Sequence, residues 1–113
     1  MSYNRIDRIS EEIKRELSNI IRDLKDPGIP LMTSVVRVDT TRDLKYAKAY
    51  ISVMGSEKEK NEALSALKRA AGFVRHEIGT RIDLRYIPEF KFIIDNSIEY
   101  GAHINKILKD SGL

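Results

Sequence analysis

The sequence contains no cysteine and no tryptophan. The first absence excludes a disulfide framework, a thiolate metal site and a thiol nucleophile. Only two histidines occur, His76 and His103, on separate expected helices, so no local histidine pair can begin a metal site. The six glycines, at 28, 55, 72, 79, 101 and 112, never build Gly-x-x-x-x-Gly-Lys or Gly-x-Gly-x-x-Gly, the two loops that cradle phosphates through bare backbone. No apolar run approaches the roughly 18 residues that span a membrane, and residues 1–7 are polar where a secretory signal would be apolar. The expected setting is the cytoplasm, with no membrane partner, no metal and no cofactor.

What remains is one domain's worth of chain. At 113 residues, 42% hydrophobic and 33% charged, it can close one core but has no room for a second catalytic domain. Residues 1–113 are therefore expected to form a single domain, with a terminal helix and frayed tail over about 96–113. Lys and Arg total 20 against 17 acidic residues, a net charge of +3. That is a lean toward polyanions, and its effect depends on clustering, because a charge is felt over about 8–10 Å in physiological salt.

Hydrophobic spacing sets out the elements. Ile6, Ile9, Ile13, Leu17, Ile20 and Leu24 recur every three or four residues, one stripe of an amphipathic helix. On its charged side Arg8 with Glu12 and Glu11 with Arg15 are spaced to pair across a turn. Lys25-Asp26-Pro27-Gly28 ends it, since the residue before proline is driven out of the helical region. A strand over 32–38 follows, rich in β-branched residues, with Ser34, Val36 and Val38 expected on one face and Thr33, Val35 and Arg37 on the other. After a polar turn at 39–43 the chain alternates again. Ala47, Ala49, Ile51 and Val53 face one way and Tyr46, Lys48, Tyr50 and Ser52 the other, as in an antiparallel pair with one wet face.

Ser56 and Glu59 have the spacing of a capping box, so a helix should start there. Its stripe runs Leu64, Leu67, Ala71, Val74, Ile78, with Gly72 in the middle at a cost of roughly 1 kcal/mol relative to alanine. Close helix approach or a break at Gly72 would offset that cost. Residues 84–89 look extended, and Phe90, Phe92 and Ile94 alternate with Lys91, Ile93 and Asp95 as a third strand. Asn96 and Glu99 can cap a last helix carrying Ile104, Ile107 and Leu108. The fold class expected is α+β, with helices on one face of a three-stranded sheet.

Catalytic chemistry finds little support. His76 and Glu77 adjoin on a helix and so point in different directions, which is no acid–base dyad. Nucleic-acid binding fares better. Lys68, Arg69, Arg75, Arg81, Arg85 and Lys91 crowd around the interrupted helix and the following strand, with His76 beside them, and the first helix adds Arg5, Arg8, Lys14 and Arg15. Cations near phosphates release condensed counterions, whereas the same residues on a solvated helix face would bind nothing. Tyr50 beside Lys48, and Tyr86 beside Arg85, each admit two readings: a platform for a base, or a ring covering the sheet edge with its hydroxyl in water.

The order helix, strand, strand, helix, break, helix, strand resembles a type II K-homology domain. Such a domain usually carries a Gly-x-x-Gly loop between its helices. Here Ala70-Ala71-Gly72 stands in that place, which resembles the ribosome-binding factor A family, where an Ala-x-Gly kink replaces the loop. The resemblance covers nearly the whole chain. It includes Lys25-Asp26-Pro27, Asp43-Leu44 with Ala47-Lys48, Gly55, Gly72 with Arg75, Leu84-Arg85 with Pro88-Glu89 and Phe92, and Asp95 with Ser97, Glu99 and Gly101. Gly28 departs from it, standing where that family often has arginine.

The resemblance implies a non-enzymatic, monomeric assembly factor for the small (30S) ribosomal subunit. Such a factor binds late in maturation, supports processing of the 5′ end of 16S rRNA, matters most in the cold, and acts alongside a maturation GTPase. On this reading the contacts to RNA come from Lys68, Arg69, Arg75, His76, Arg81, Arg85, Lys48, Arg5 and Arg8, displayed around a kink at Ala70, Ala71 and Gly72. The alternatives are a general RNA chaperone without ribosome preference and, from another class, a small RNA-processing enzyme using His76 and Glu77.

Overall fold

Asn4 starts the first helix, its side-chain oxygen accepting the Asp7 backbone N–H at 2.9 Å, so one donor that lacks an intrahelical partner is satisfied. The computed structural model describes residues 4–24, 26–30 and 33–96. The helix expected beyond Asn96 lies outside them. Helix α1 spans Arg5–Asp23 and buries Ile9, Ile13, Leu17, Ile20 and Ile21: the middle of the expected stripe with Ile21 added, its ends Ile6 and Leu24 being only half-buried. Leu24 turns to extended backbone, two residues ahead of the Asp26-Pro27 pair. On the solvated side Arg15 lies 4.0 Å from its neighbour Glu16 rather than reaching Glu11.

Strands β1 (Ser34–Thr40) and β2 (Tyr46–Ser52) pair antiparallel, and β3 (Glu89–Ile94) adds to β2 in parallel, giving the order β1-β2-β3. A parallel neighbour requires a crossover. Helices α2 (Glu57–Arg69) and α3 (Ala71–Arg81) supply it. Ala47, Ala49, Ile51 and Val53 are buried as expected, beside Phe90 and Phe92 of β3.

β1 departs from strict alternation. Val35 pairs with Ile51 but Arg37 pairs with Tyr50, leaving Val36 as the extra residue of a β-bulge. Val35 and Val38, which alternation places on opposite faces, are both buried, while Arg37 stands on the open face. One inserted residue is the physical reason: it advances the side-chain phase by one position.

The capping box forms in full: Glu59 N–H to Ser56 Oγ at 3.2 Å, and Ser56 N–H to Glu59 Oε1 at 3.1 Å. Beyond it α2 buries Ala63, Ala66 and Leu67, and Lys60 with them. α3 buries Val74 and Ile78 over the sheet. Each large apolar side chain taken from water here contributes about 1.5–3 kcal/mol.

The helix is interrupted at Ala70 (φ −85°, ψ −1°), at the edge of the helical region, which ends α2 and starts α3. Gly72 lies in the first turn of α3, exposed, and a Cβ added there would meet nothing within 4 Å. Close helix approach is therefore not what this glycine serves. The close approach belongs to Gly28, where an added Cβ would lie 3.4 Å from Ala66 Cβ and 3.3 Å from Asp26 Oδ1.

Candidate nucleic-acid interface

Gly72, Arg75, His76, Gly79 and Thr80 follow each other at helical spacing and so share one face of α3. Opposite them lies the segment leading into β3. Between the two runs a shallow groove of ≈ 690 Å³, lined by these five residues with Arg85, Tyr86 and Ile87. The two glycines leave the helix side bare. At Gly79 an added Cβ would already touch Ile87 Cγ1 at 3.4 Å.

Arg75 is held in place: its Nε donates to the Ile87 carbonyl at 3.2 Å. The Arg85 guanidinium lies 5.6 Å from the centre of the Tyr86 ring, which is 60% exposed and open to a ligand. No side chain caps α3, and its first turn carries no acidic residue. Among the described residues no carboxylate lines this groove, whereas Asp43 and Glu89 line the adjoining hollow on the other side of Arg75.

Arg75 also borders a second hollow of ≈ 500 Å³, shared with Tyr86, Ile87, Glu89 and the 43–46 turn. That turn is stiff. Asp43 Oδ1 accepts from Lys45 N–H at 3.0 Å and from Thr41 Oγ1 at 2.8 Å. These two bonds, the backbone one foremost, hold its carboxyl below the usual carboxylate range. Leu44 sits at φ 60°, a left-handed conformation costly for a residue with a branched side chain, and its N–H donates to Thr41 O at 2.9 Å.

The remaining residues singled out from the sequence fall elsewhere. Lys68 and Arg69 are exposed in the last turn of α2, just ahead of the break, but Arg69 borders a separate depression with Lys58, Asn61, Glu62 and Ser65. Arg81 turns to α1, with Glu16 at 3.6 Å and Glu77 at 3.5 Å. Glu77 is thereby engaged with Arg81 while His76 faces the groove, so the two do not form a catalytic pair. Arg5 and Arg8 are exposed at the start of α1, and Lys48 stands on the open face of the sheet. Sequence reasoning missed Gly79 as a groove residue. The seven-residue interval between Gly72 and Gly79, two turns on one helix face, carried that signal.

A family model described as Ribosome-binding factor A matches residues 5–108. The chain belongs to the ribosome-binding factor A family. It is 57% identical over 108 residues to the Ribosome-binding factor A of Acetivibrio thermocellus, covering 95% of this chain and 88% of that one. The crystal structure of ribosome-binding factor A from Thermus thermophilus superposes with a TM-score of 0.72 at 25% identity, covering 79% of this chain and 93% of the other. A Thermus thermophilus ribosome-binding factor A model fitted into a cryo-electron microscopy map of a 30S complex superposes with a TM-score of 0.66 at 25% identity, over 77% and 91% of the two chains. Ribosome-binding factor A is the name of a binding protein rather than of an enzyme, in keeping with the helix, two-strand, two-helix, strand order and three-stranded sheet found here.

Proposed function

We propose that this chain binds the small (30S) ribosomal subunit as an assembly factor without catalytic activity, touching 16S rRNA through the groove between α3 and the 82–88 segment. The observation that carries this reading is the groove itself: Arg75, His76 and Arg85 line it beside the bare backbone of Gly72, without a carboxylate among its described lining residues. Phosphates need fixed positive charge at short range, and cations held by the fold lose less freedom on binding than free ones. Arg75, tied to the Ile87 carbonyl, is such a cation. Gly72 leaves bare backbone where a phosphate can come close, the service that a Gly-x-x-Gly loop performs in other K-homology domains.

Lys68 and Arg69 extend the positive side ahead of the break, and Arg5, Arg8 and Lys48 lie outside the groove as further points of contact with a large particle. Arg81, bridged to Glu16 and Glu77, holds α3 to α1 and reaches RNA only by leaving those partners. Support for late maturation and for 16S rRNA 5′-end processing, importance in the cold, monomeric cytoplasmic action and a GTPase on the same particle complete this reading by family membership.

Sedimentation tests it. The chain is expected to travel with free small subunits, and Arg75→Glu with Arg85→Glu to stay at the top of the gradient. Spreading over bulk RNA would identify a general RNA chaperone instead.

A further inference from the structure

The face of the sheet turned away from the helices is not a plain solvated surface. Its central strand presents Tyr46, Lys48 and Tyr50 in alternate positions, and each ring is held by a cation from a different neighbouring strand. The Arg37 guanidinium of β1 lies 4.2 Å from the centre of the Tyr50 ring, and Lys91 Nζ of β3 lies 4.9 Å from that of Tyr46. Tyr50, then Asp39 at 3.3 Å, holds Arg37 more firmly in its charged form. Tyr46 is 40% exposed and Ile93 beside Tyr50 is 36% exposed, so ring and methyl surface is accessible on this face.

From these placements we infer that the open sheet face is a second RNA site, which takes an unpaired strand with bases on Tyr46 and Tyr50 and phosphates near Lys48 and Lys91. Aromatic rings interleaved with cations suit single-stranded RNA, because bases stack on the rings while the cations meet the backbone. The two tyrosines are four residues apart on one strand, about 13 Å. Bases stacked in a duplex lie about 3.4 Å apart along a strand, so the two rings take separated bases of an extended strand. Arg37, whose guanidinium lies over the Tyr50 ring, adds a planar cation beside the platform. Three carboxylates border this face: Asp39, already paired with Arg37; Glu89, beside Tyr46; and Asp95, which follows Ile93 in the alternation of β3 and also acts on Arg37. Asp39 and Asp95 both act on Arg37, which leaves Lys48 and Lys91 beside the rings to meet the phosphates.

Continuity strengthens the assignment. Tyr46 borders the hollow that Arg75 and Tyr86 share with the α3 groove, so a strand leaving that groove past Arg75 arrives at the sheet. The site extends the RNA-binding reading proposed above, and it uses a different set of side chains.

Fluorescence anisotropy with a labelled single-stranded oligouridine, and with the same strand annealed to its complement, measures the site on the full chain. The single strand is expected to bind more tightly than the duplex. Tyr46→Val and Tyr50→Val should each weaken it about tenfold, Tyr46→Phe and Tyr50→Phe should restore it, and Lys48→Gln should lower the salt slope by about 0.7. Unchanged affinity in folded valine variants would overturn the site. So would small-subunit binding that depends on the tyrosines while oligouridine binding does not, which would indicate a protein partner. Should the valine variants fail to fold, ultraviolet cross-linking of 4-thiouridine RNA to the unaltered chain decides: peptides bearing Tyr46 or Tyr50 support the site, and peptides from the α3 groove alone overturn it. Arg75→Gln with Arg85→Gln separates the two sites, since loss there with the tyrosine effect intact upholds both, and no loss there rejects the groove alone.

Discussion

Arg75 and Ile87 are joined across the groove by a single hydrogen bond, guanidinium Nε to backbone carbonyl at 3.2 Å, between residues twelve apart in the chain. The bond fixes where a cation stands relative to Arg85 and Tyr86, and it ties α3 to the segment that leads into β3. Arg75→Lys keeps the charge but loses the planar donor, so the cation is freed to move. Subunit affinity is expected to fall for Arg75→Lys and to fall further for Arg75→Met, with the salt dependence flattened only in the second. Binding measured across a range of salt concentrations checks both.

Gly72 separates stability from binding. It has ordinary backbone geometry and open space around its α-carbon. Gly72→Ala is therefore expected to stabilise the fold by about 0.5–1 kcal/mol through a stiffer unfolded chain and better helix propensity. The same methyl group enters the groove and weakens binding to the small subunit. A higher unfolding midpoint together with lower affinity is the expected pair of results, and unchanged affinity would remove Gly72 from the interface.

Lys60 is 5% exposed, with its Nζ 3.0 Å from Asn96 Oδ1 and 3.7 Å from Glu57 Oε1. It anchors the end of β3 to α2 over a separation of 36 residues. Lys60→Ala removes these charge-assisted contacts and the packing of a buried stem, while Asn96 and Glu57 turn to water, and a loss of about 1–3 kcal/mol is expected in urea unfolding. Lys60→Met, which keeps the length but not the donor, should lose less.

Glu59 and Asp43 make the fold acid-sensitive in a defined window. Backbone N–H groups, of Ser56 for the first and Lys45 for the second, hold both carboxyls below their ordinary values of 4.5 and 3.8. The unfolded chain thus takes up protons first as pH falls. Their contribution is present above those ordinary values and disappears as pH drops through the lower folded-state values. Glu59→Gln and Asp43→Asn are expected to flatten the acid limb of a stability-versus-pH curve. Ser56→Ala, which removes the cap itself, should cost about 1 kcal/mol at neutral pH.

Much of this molecule could be read from local spacing. The stripe from Ile9 to Ile20, the Ser56–Glu59 box, the alternation from Ala47 to Val53 and the run of cations around position 72 depend on neighbours within one turn or one strand, and a linear sequence displays those relations directly. Tertiary packing decided the rest. The bulge at Val36 answers to pairing with Ile51 and Tyr50 on another strand, and Lys60 is buried because β3 ends beside it. Arg81 turns from the groove because Glu16 waits on α1, whereas Arg75 enters it because Ile87 offers a carbonyl. The composition around residue 72 announced a positive surface. Which of those charges converge was settled by partners brought together from distant parts of the chain, since a side chain's direction follows from what its element packs against.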